Sequence, residues 1–292
     1  MNLVLPLVAF LFGWGVAPLA HANHFKKYFS LILARFLIPF VIIYNMVYYQ
    51  AGNLSLMLFS FFSAIVVYAC FVYFFKDRLI ALCASYVNLA WLGFPFALVI
   101  FGPAISSAMI ALYIGGSVFG NVWAVTAVSA EKQLLSTIVR KVLQSPPIIA
   151  LLIAAILRLM GLHNWPEPHW FEQCYALIKV AMIFTGMAVL GIWLRDTHVT
   201  RTDLLHSIRV IIPKLVIGAV ICSLAYFIVA LPELKHFIGL MFFLFCLPPA
   251  ANIVALETHY QGTGYSAKYI AAGTIVSMVV IVVYGFIWHF MV

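Results

Sequence analysis

The chain has 292 residues, of which 66% are hydrophobic and 8% charged, with a formal net charge of +8. Soluble domains carry about 25% charged residues, so this composition excludes a soluble enzyme, a nucleic-acid-binding domain and a disordered chain. What remains is an integral membrane protein whose first partner is the lipid bilayer, and its basic balance fits Lys and Arg gathered in cytoplasmic loops.

Charge-free runs cover residues 1–25, 36–75, 79–130, 215–232, 236–256 and 269–292. A spanning helix needs about 20 apolar residues. The 52-residue run 79–130 must therefore hold two, with Gly102-Pro103 as the turn. The pattern predicts ten helices, over 3–20, 28–49, 54–75, 79–101, 104–129, 145–162, 172–194, 209–230, 236–257 and 266–290. The runs are continuous rather than alternating, which selects helices over barrel strands. Ala20-His21-Ala22 resembles a signal-peptidase site. No positive region precedes it, and Lys26 and Lys27 follow, so the first helix is expected to be retained with its N-terminus outside.

Basic residues set the orientation. Alternate connections, starting with the first, carry Lys26, Lys27, Lys76, Arg78, Lys132, Arg140, Lys141, Arg195, Arg201, Arg209 and Lys268. The others carry only Arg158 and Lys235. The excess predicts both termini outside the cytoplasm, in the plasma membrane. Arg35, Lys179 and Lys214 fall within helices. The longest connections, 130–144 and 195–208, are too short for a soluble domain.

The five cysteines, Cys70, Cys83, Cys174, Cys222 and Cys246, form no CxxC pair. All but Cys174 lie in apolar runs, so neither a disulfide nor a zinc site is expected. His21 and His24 stand three apart with no third ligand nearby in sequence, so no metal or cofactor is expected. Gly116-x-x-x-Gly120 reads as a close-packing motif that seats one helix on its neighbour.

The chain divides near residue 140 into halves of five helices, 1–140 and 141–292. An odd number per half forces opposite orientations, the inverted-repeat plan of many secondary transporters. Leu5-Pro6 opening the first helix echoes Ser145-Pro146-Pro147 opening the sixth. The stronger echo joins the fourth and ninth. The fourth reads Ser85-Tyr86-Val87-Asn88-Leu89-Ala90-Trp91-Leu92-Gly93-Phe94-Pro95, and the ninth Leu247-Pro248-Pro249-Ala250-Ala251-Asn252. Each has proline at mid-span with asparagine near it. Proline and glycine free backbone groups that hydrocarbon does not satisfy. Matched breaks in the two halves point to a binding site; two ordinary proline kinks are the competing reading.

Asn88-x4-Gly93-x-Pro95 with Phe101-Gly102 resembles the fourth-helix signature of the auxin efflux carrier family. Leu247-Pro248-Pro249-Ala250 with Tyr260 is similar to its ninth-helix motif. The match is nearest to the short bacterial permeases of malate or malonate type. Val87 stands where plant exporters have proline, and the long loop of plant members between helices five and six is lacking. The resemblance implies an all-α membrane protein with ten transmembrane helices in two inverted five-helix repeats. Bile acid symporters and sodium/proton antiporters share this plan. Broken helices 4 and 9 would cross at mid-membrane. Helices 1, 2, 6 and 7 would form a scaffold, often a homodimer interface, and the others a moving transport domain.

Crossing half-helices would turn N-terminal ends, each about +0.5 charge, toward one point, which favours an anion. Asn88 and Asn252 can each donate and accept, as a carboxylate or hydroxyl requires. Ser85 lies three residues before Asn88 and would share its helical face. The candidate substrate-binding set is therefore Ser85, Asn88, Gly93, Pro95, Pro248, Pro249 and Asn252, with Arg35 and Lys179 as charges that would attract an organic anion. Snorkelling to the interface is the competing reading for both cations. No carboxylate lies deep in a span, and Glu257 at the end of helix nine comes nearest. That argues against a cation antiporter and leaves ion coupling open.

HExxH, GxSxG and paired in-span aspartates are all lacking, so an intramembrane enzyme is not expected. A secondary carrier for a small organic anion is the leading expectation. A channel, or a non-transporting ligand sensor on the same fold, stays open beside it.

Overall fold

The computed structural model describes residues 4–48, 53–128, 136, 139–140, 143–164, 169–228, 235–251, 253–254, 257 and 265–291. The described residues are all-helical, and the single β-type pairing among them is one isolated bridge. In chain order the α-helices are α1 (Val4–Val16), α2 (Ala22–Ile32), α3 (Ile38–Val47), α4 (Asn53–Phe75), α5 (Arg78–Ser85) and α6 (Phe94–Phe101). They continue with α7 (Ser106–Val128), α8 (Pro146–Leu159), α9 (His169–Asp196), α10 (Arg201–Ile228), α11 (Ile238–Cys246) and α12 (Ser266–Met291). A π-helical turn, Leu33–Leu37, joins α2 to α3, and a second, Leu89–Gly93, runs into α6.

Among the described residues, six helices are long and apolar enough to cross a membrane: His24–Val47, Leu54–Phe75, Pro103–Gly120, His169–Arg195, Arg201–Ile228 and Ser266–Phe290. This is the make-up of a membrane-embedded protein. Val4–Val16, Leu89–Phe101 and Pro146–Leu159 are apolar but shorter. Thirteen residues of α1 rise about 20 Å, against about 30 Å of hydrocarbon.

The described residues form two compact units, and neither follows the halves of the sequence. One comprises Met1–Gln50, Ala90–Ile110 and Leu143–Asp196; the other comprises Ala51–Leu89, Ala111–Val142 and Thr197–Val292. Each draws on both halves of the chain.

In the first unit α1 lies along α9, and α3 along α8. A Cβ on Gly13 would stand 2.0 Å from the Ala188 carbonyl oxygen, so glycine is what lets these two backbones meet. Asn45 donates to the Tyr175 hydroxyl at 2.9 Å. Arg158 donates to the Val47 carbonyl at 3.0 Å, which places a cation on the C-terminal end of α3.

In the second unit α10 packs against α4, α5, α11 and α12. Its Pro213 lies inside the helix. Glu257, fully buried, accepts from the backbone N–H of Tyr265 at 2.7 Å and of Ser266 at 2.6 Å, and from the Ser266 hydroxyl. A carboxylate thus closes the N-terminus of α12, where orphan donors and the helix dipole favour negative charge.

Candidate functional site

Two helix breaks meet in the second unit. The first follows α5, which Asp77 opens by accepting from the N–H of Leu79 at 2.8 Å and of Ile80 at 3.1 Å. The helix stops at Ser85, and Tyr86 turns extended, with φ −95° and ψ 103°. Nothing in residues 81–88 forbids a helix, since neither proline nor glycine occurs there. This break is imposed from outside.

The second break is written into its own sequence. Residues before proline are pushed out of the α region, and Leu247 is extended, with φ −75° and ψ 147°. Pro248 and Pro249 then withhold two successive donors. The exposed groups of one break satisfy those of the other. Asn88 donates its backbone N–H to the Pro248 carbonyl at 2.8 Å, and Ala250 donates to the Tyr86 carbonyl at 2.9 Å. Val87 and Pro249 form the antiparallel bridge between them.

Small residues hold both breaks in place. A Cβ on Gly120 would meet the Tyr86 ring at 2.3 Å, and one on Gly116 would meet Leu89 Cδ1 at 2.9 Å. The Gly116-x-x-x-Gly120 motif therefore seats the first break. Gly273 on α12 does the same for the second, where a Cβ would lie 3.0 Å from Pro249 Cδ.

One charge enters this arrangement. Lys214, on α10, is 3% exposed and donates from Nζ to the Leu247 carbonyl at 2.7 Å. The carbonyl belongs to the C-terminal end of α11, the negative end of its dipole. An ammonium carries three donors, and among the described residues Leu247 is the one hydrogen-bond acceptor that Lys214 meets. The lysine borders two cavities. One, of about 40 Å³, is lined by residues of α5, α10 and α12 together with Leu247 and Pro249. The other, of about 20 Å³, includes Ser85, Val87, Leu89 and Gly116.

Of the residues singled out from sequence, Ser85, Asn88, Pro248 and Pro249 come together here. Two expectations are corrected. Ser85 and Asn88 do not share a helical face, because the helix ends between them. The Ser85 hydroxyl instead donates to the Ala81 carbonyl at 2.8 Å. Nor does the first break fall at Gly93 and Pro95. Gly93 closes the π-helical turn and Pro95 follows it in α6, so the helix runs on from Leu89 to Phe101 through both. Both belong to the first unit, which the chain enters at Ala90. Asn252 and Tyr260 lie outside the described residues.

Arg35 and Lys179 also belong to the first unit. Arg35 is exposed on its π-helical turn. Lys179 is half-buried, with Nζ 4.4 Å from the centre of the Tyr175 ring. Lys214 is the residue that sequence reasoning passed over. Its signal was a lysine directly after Pro213 and directly before the charge-free run 215–232.

Fold and site together define a membrane-embedded helical protein in which two interrupted helices are tied at their breaks beside a buried ammonium. No protein-family model matches the chain, and no curated protein matches it.

Proposed function

We propose that the chain is a secondary transporter that moves a small organic anion, a carboxylate, across the plasma membrane by alternating access. The observation that carries this reading is the meeting of the two breaks at Asn88 and Pro248 beside the Lys214 ammonium. Irregular backbone at membrane depth survives where protein or a water-lined cavity satisfies it, and transporters place their sites there. Among the described residues no carboxylate pairs with this buried cation, which favours an anionic ligand.

On this reading the chain is a ten-span inverted repeat of auxin-efflux-carrier type, nearest to the short bacterial permeases. Spans four and nine cross at the breaks. Both termini face outward. The unit that carries the breaks is the moving body. Asn88 and Asn252 hydrogen-bond the substrate, and Pro248 and Pro249 keep its seat open.

Counterflow in proteoliposomes tests the proposal. Vesicles are preloaded separately with malate, malonate, succinate, an indole-type acid and taurocholate, and entry of the labelled counterpart is followed. Saturable exchange of one anion, lost in Asn88→Ala, is the expected result. Flux that never saturates would make the protein a channel. Binding without exchange would make it a sensor.

A further inference from the structure

The 40 Å³ cavity holds groups that the tied breaks do not use. Residues 206, 207, 210, 211 and 214 recur at helical spacing, so one stripe of α10 forms its wall. Lys214 stands at one end of that stripe and His206 at the other, about 12 Å apart along the axis. His206 Nε2 is sealed from solvent and has no hydrogen-bond partner. Its ring lies 4.7 Å from that of Tyr269. Ser207 and Ser277, both buried, line the space between, and Gly273 leaves it open on the α12 side.

We propose that this cavity is a carboxylate-binding subsite, with the Lys214 ammonium as counter-ion at one end and His206 at the other. Three features of the cavity select the ligand. An ammonium with donors to spare calls for an acceptor. Buried serines in the lining, Ser207 and Ser277, suit a polar occupant better than an alkyl chain. A volume of about 40 Å³ exceeds the ~10–15 Å³ that one water needs and falls far short of the ~150 Å³ that admits a benzene ring. The occupant is therefore a small aliphatic carboxylate that fits whole, and not an aromatic acid. The inference rests on the anion reading of the breaks for its purpose in transport, but the subsite itself does not.

Binding measured apart from transport tests it. Labelled acetate and malonate are titrated onto the full chain in nanodiscs by scintillation proximity, with unlabelled chloride and indole-3-acetate as competitors. Wild type is compared with Lys214→Met and Ser277→Met. The second variant fills the cavity and leaves the lysine–carbonyl bond alone, so it stands in if the first does not fold. Saturable carboxylate binding, weakened about ten-fold or more in each folded variant, is expected, since a charged hydrogen bond is worth that much. Indole-3-acetate is expected not to compete. Wild-type affinity in Ser277→Met, or no saturable carboxylate binding in the wild type, would overturn the subsite. Binding of chloride alone would overturn its assignment to a carboxylate. Binding that follows these variants without any counterflow would leave the subsite standing and sink the transport reading instead.

Discussion

The Lys214 ammonium donates to the Leu247 carbonyl at 2.7 Å, inside the protein, where the double proline has ended a helix. The bond joins the only charge at the breaks, among the described residues, to the carbonyl that those prolines expose. Two costs oppose each other there. Burying a charge is unfavourable, and so is leaving a carbonyl unpaired.

From that balance comes the first prediction. In Lys214→Met the orphaned carbonyl costs about 1–3 kcal/mol, and removal of the buried charge offsets part of it. The variant is expected to stay folded, with a melting temperature slightly below wild type. Counterflow is expected to fall to background. Lys214→Arg is not expected to restore it, because a planar fork does not fit where a compact ammonium sat. Thermal melting of purified protein, read beside counterflow, checks both halves. Normal exchange in Lys214→Met would remove the lysine from the mechanism.

Gly120 gives a purely structural test. A Cβ there would stand 2.3 Å from the Tyr86 ring, which the first break holds. Gly120→Ala must push that ring aside, and overpacking of this kind costs about 1–3 kcal/mol. Gly116→Ala meets two side-chain ends, Leu89 Cδ1 at 2.9 Å and Ser60 Oγ at 3.4 Å, and is expected to cost less. Gly15→Ala meets nothing within 4 Å and is expected to be neutral or mildly stabilising. Melting temperatures ranked Gly15→Ala above Gly116→Ala above Gly120→Ala would agree. An unchanged melt for Gly120→Ala would show that the ring is not held as described.

How the two breaks could be read differs for a physical reason. The second was legible, because Pro248 and Pro249 carry no N–H and force Leu247 out of the helix. The first was misplaced by about two turns. Pro95 drew attention to Gly93–Pro95, yet there the helix runs on, from the π-helical turn Leu89–Gly93 straight into α6. The interruption at Tyr86–Asn88 is made by a partner backbone and glycine seats that lie far off in sequence. That the chain builds long apolar helices was legible from hydropathy, which depends only on local composition; six of spanning length stand among the described residues, beside the ten expected. Lys214 was not legible, since a span expected over 209–230 puts it near a helix end, where a cation could snorkel, whereas the helix begins at Arg201 and sets it mid-span. The glycine motif was legible as a packing device, though not as a seat for the break.

Glu257 bears on ion coupling. Its carboxylate already accepts from two backbone N–H groups and a hydroxyl at the start of α12. Those are structural duties, and a cation would have to displace them. Glu257→Ala is expected to destabilise the protein by about 1–3 kcal/mol by orphaning buried donors. Glu257→Gln keeps one acceptor oxygen and is expected to fall between. Replacing sodium by potassium in the counterflow buffer is expected to leave the wild-type rate unchanged. A rate that followed sodium and vanished in Glu257→Gln would show instead that the carboxylate holds a cation.

The two cations of the first unit have surroundings of their own. Arg35 is exposed on its π-helical turn, and Lys179 places its ammonium over the Tyr175 ring. A cation–π contact of this kind is worth about 0.5–2 kcal/mol and is satisfied without substrate. Arg35→Gln is expected to leave anion affinity unchanged. Lys179→Gln is expected to shift it by no more than about two-fold, since the Tyr175 ring already satisfies the ammonium. Asn88→Ala, by contrast, removes a side chain held beside the tied backbones and is expected to abolish saturable exchange. Affinities from the counterflow half-saturation point, measured for all three variants in one lipid mixture, decide the matter. A large loss in Lys179→Gln with Asn88→Ala intact would move the anion site out of the breaks and into the first unit.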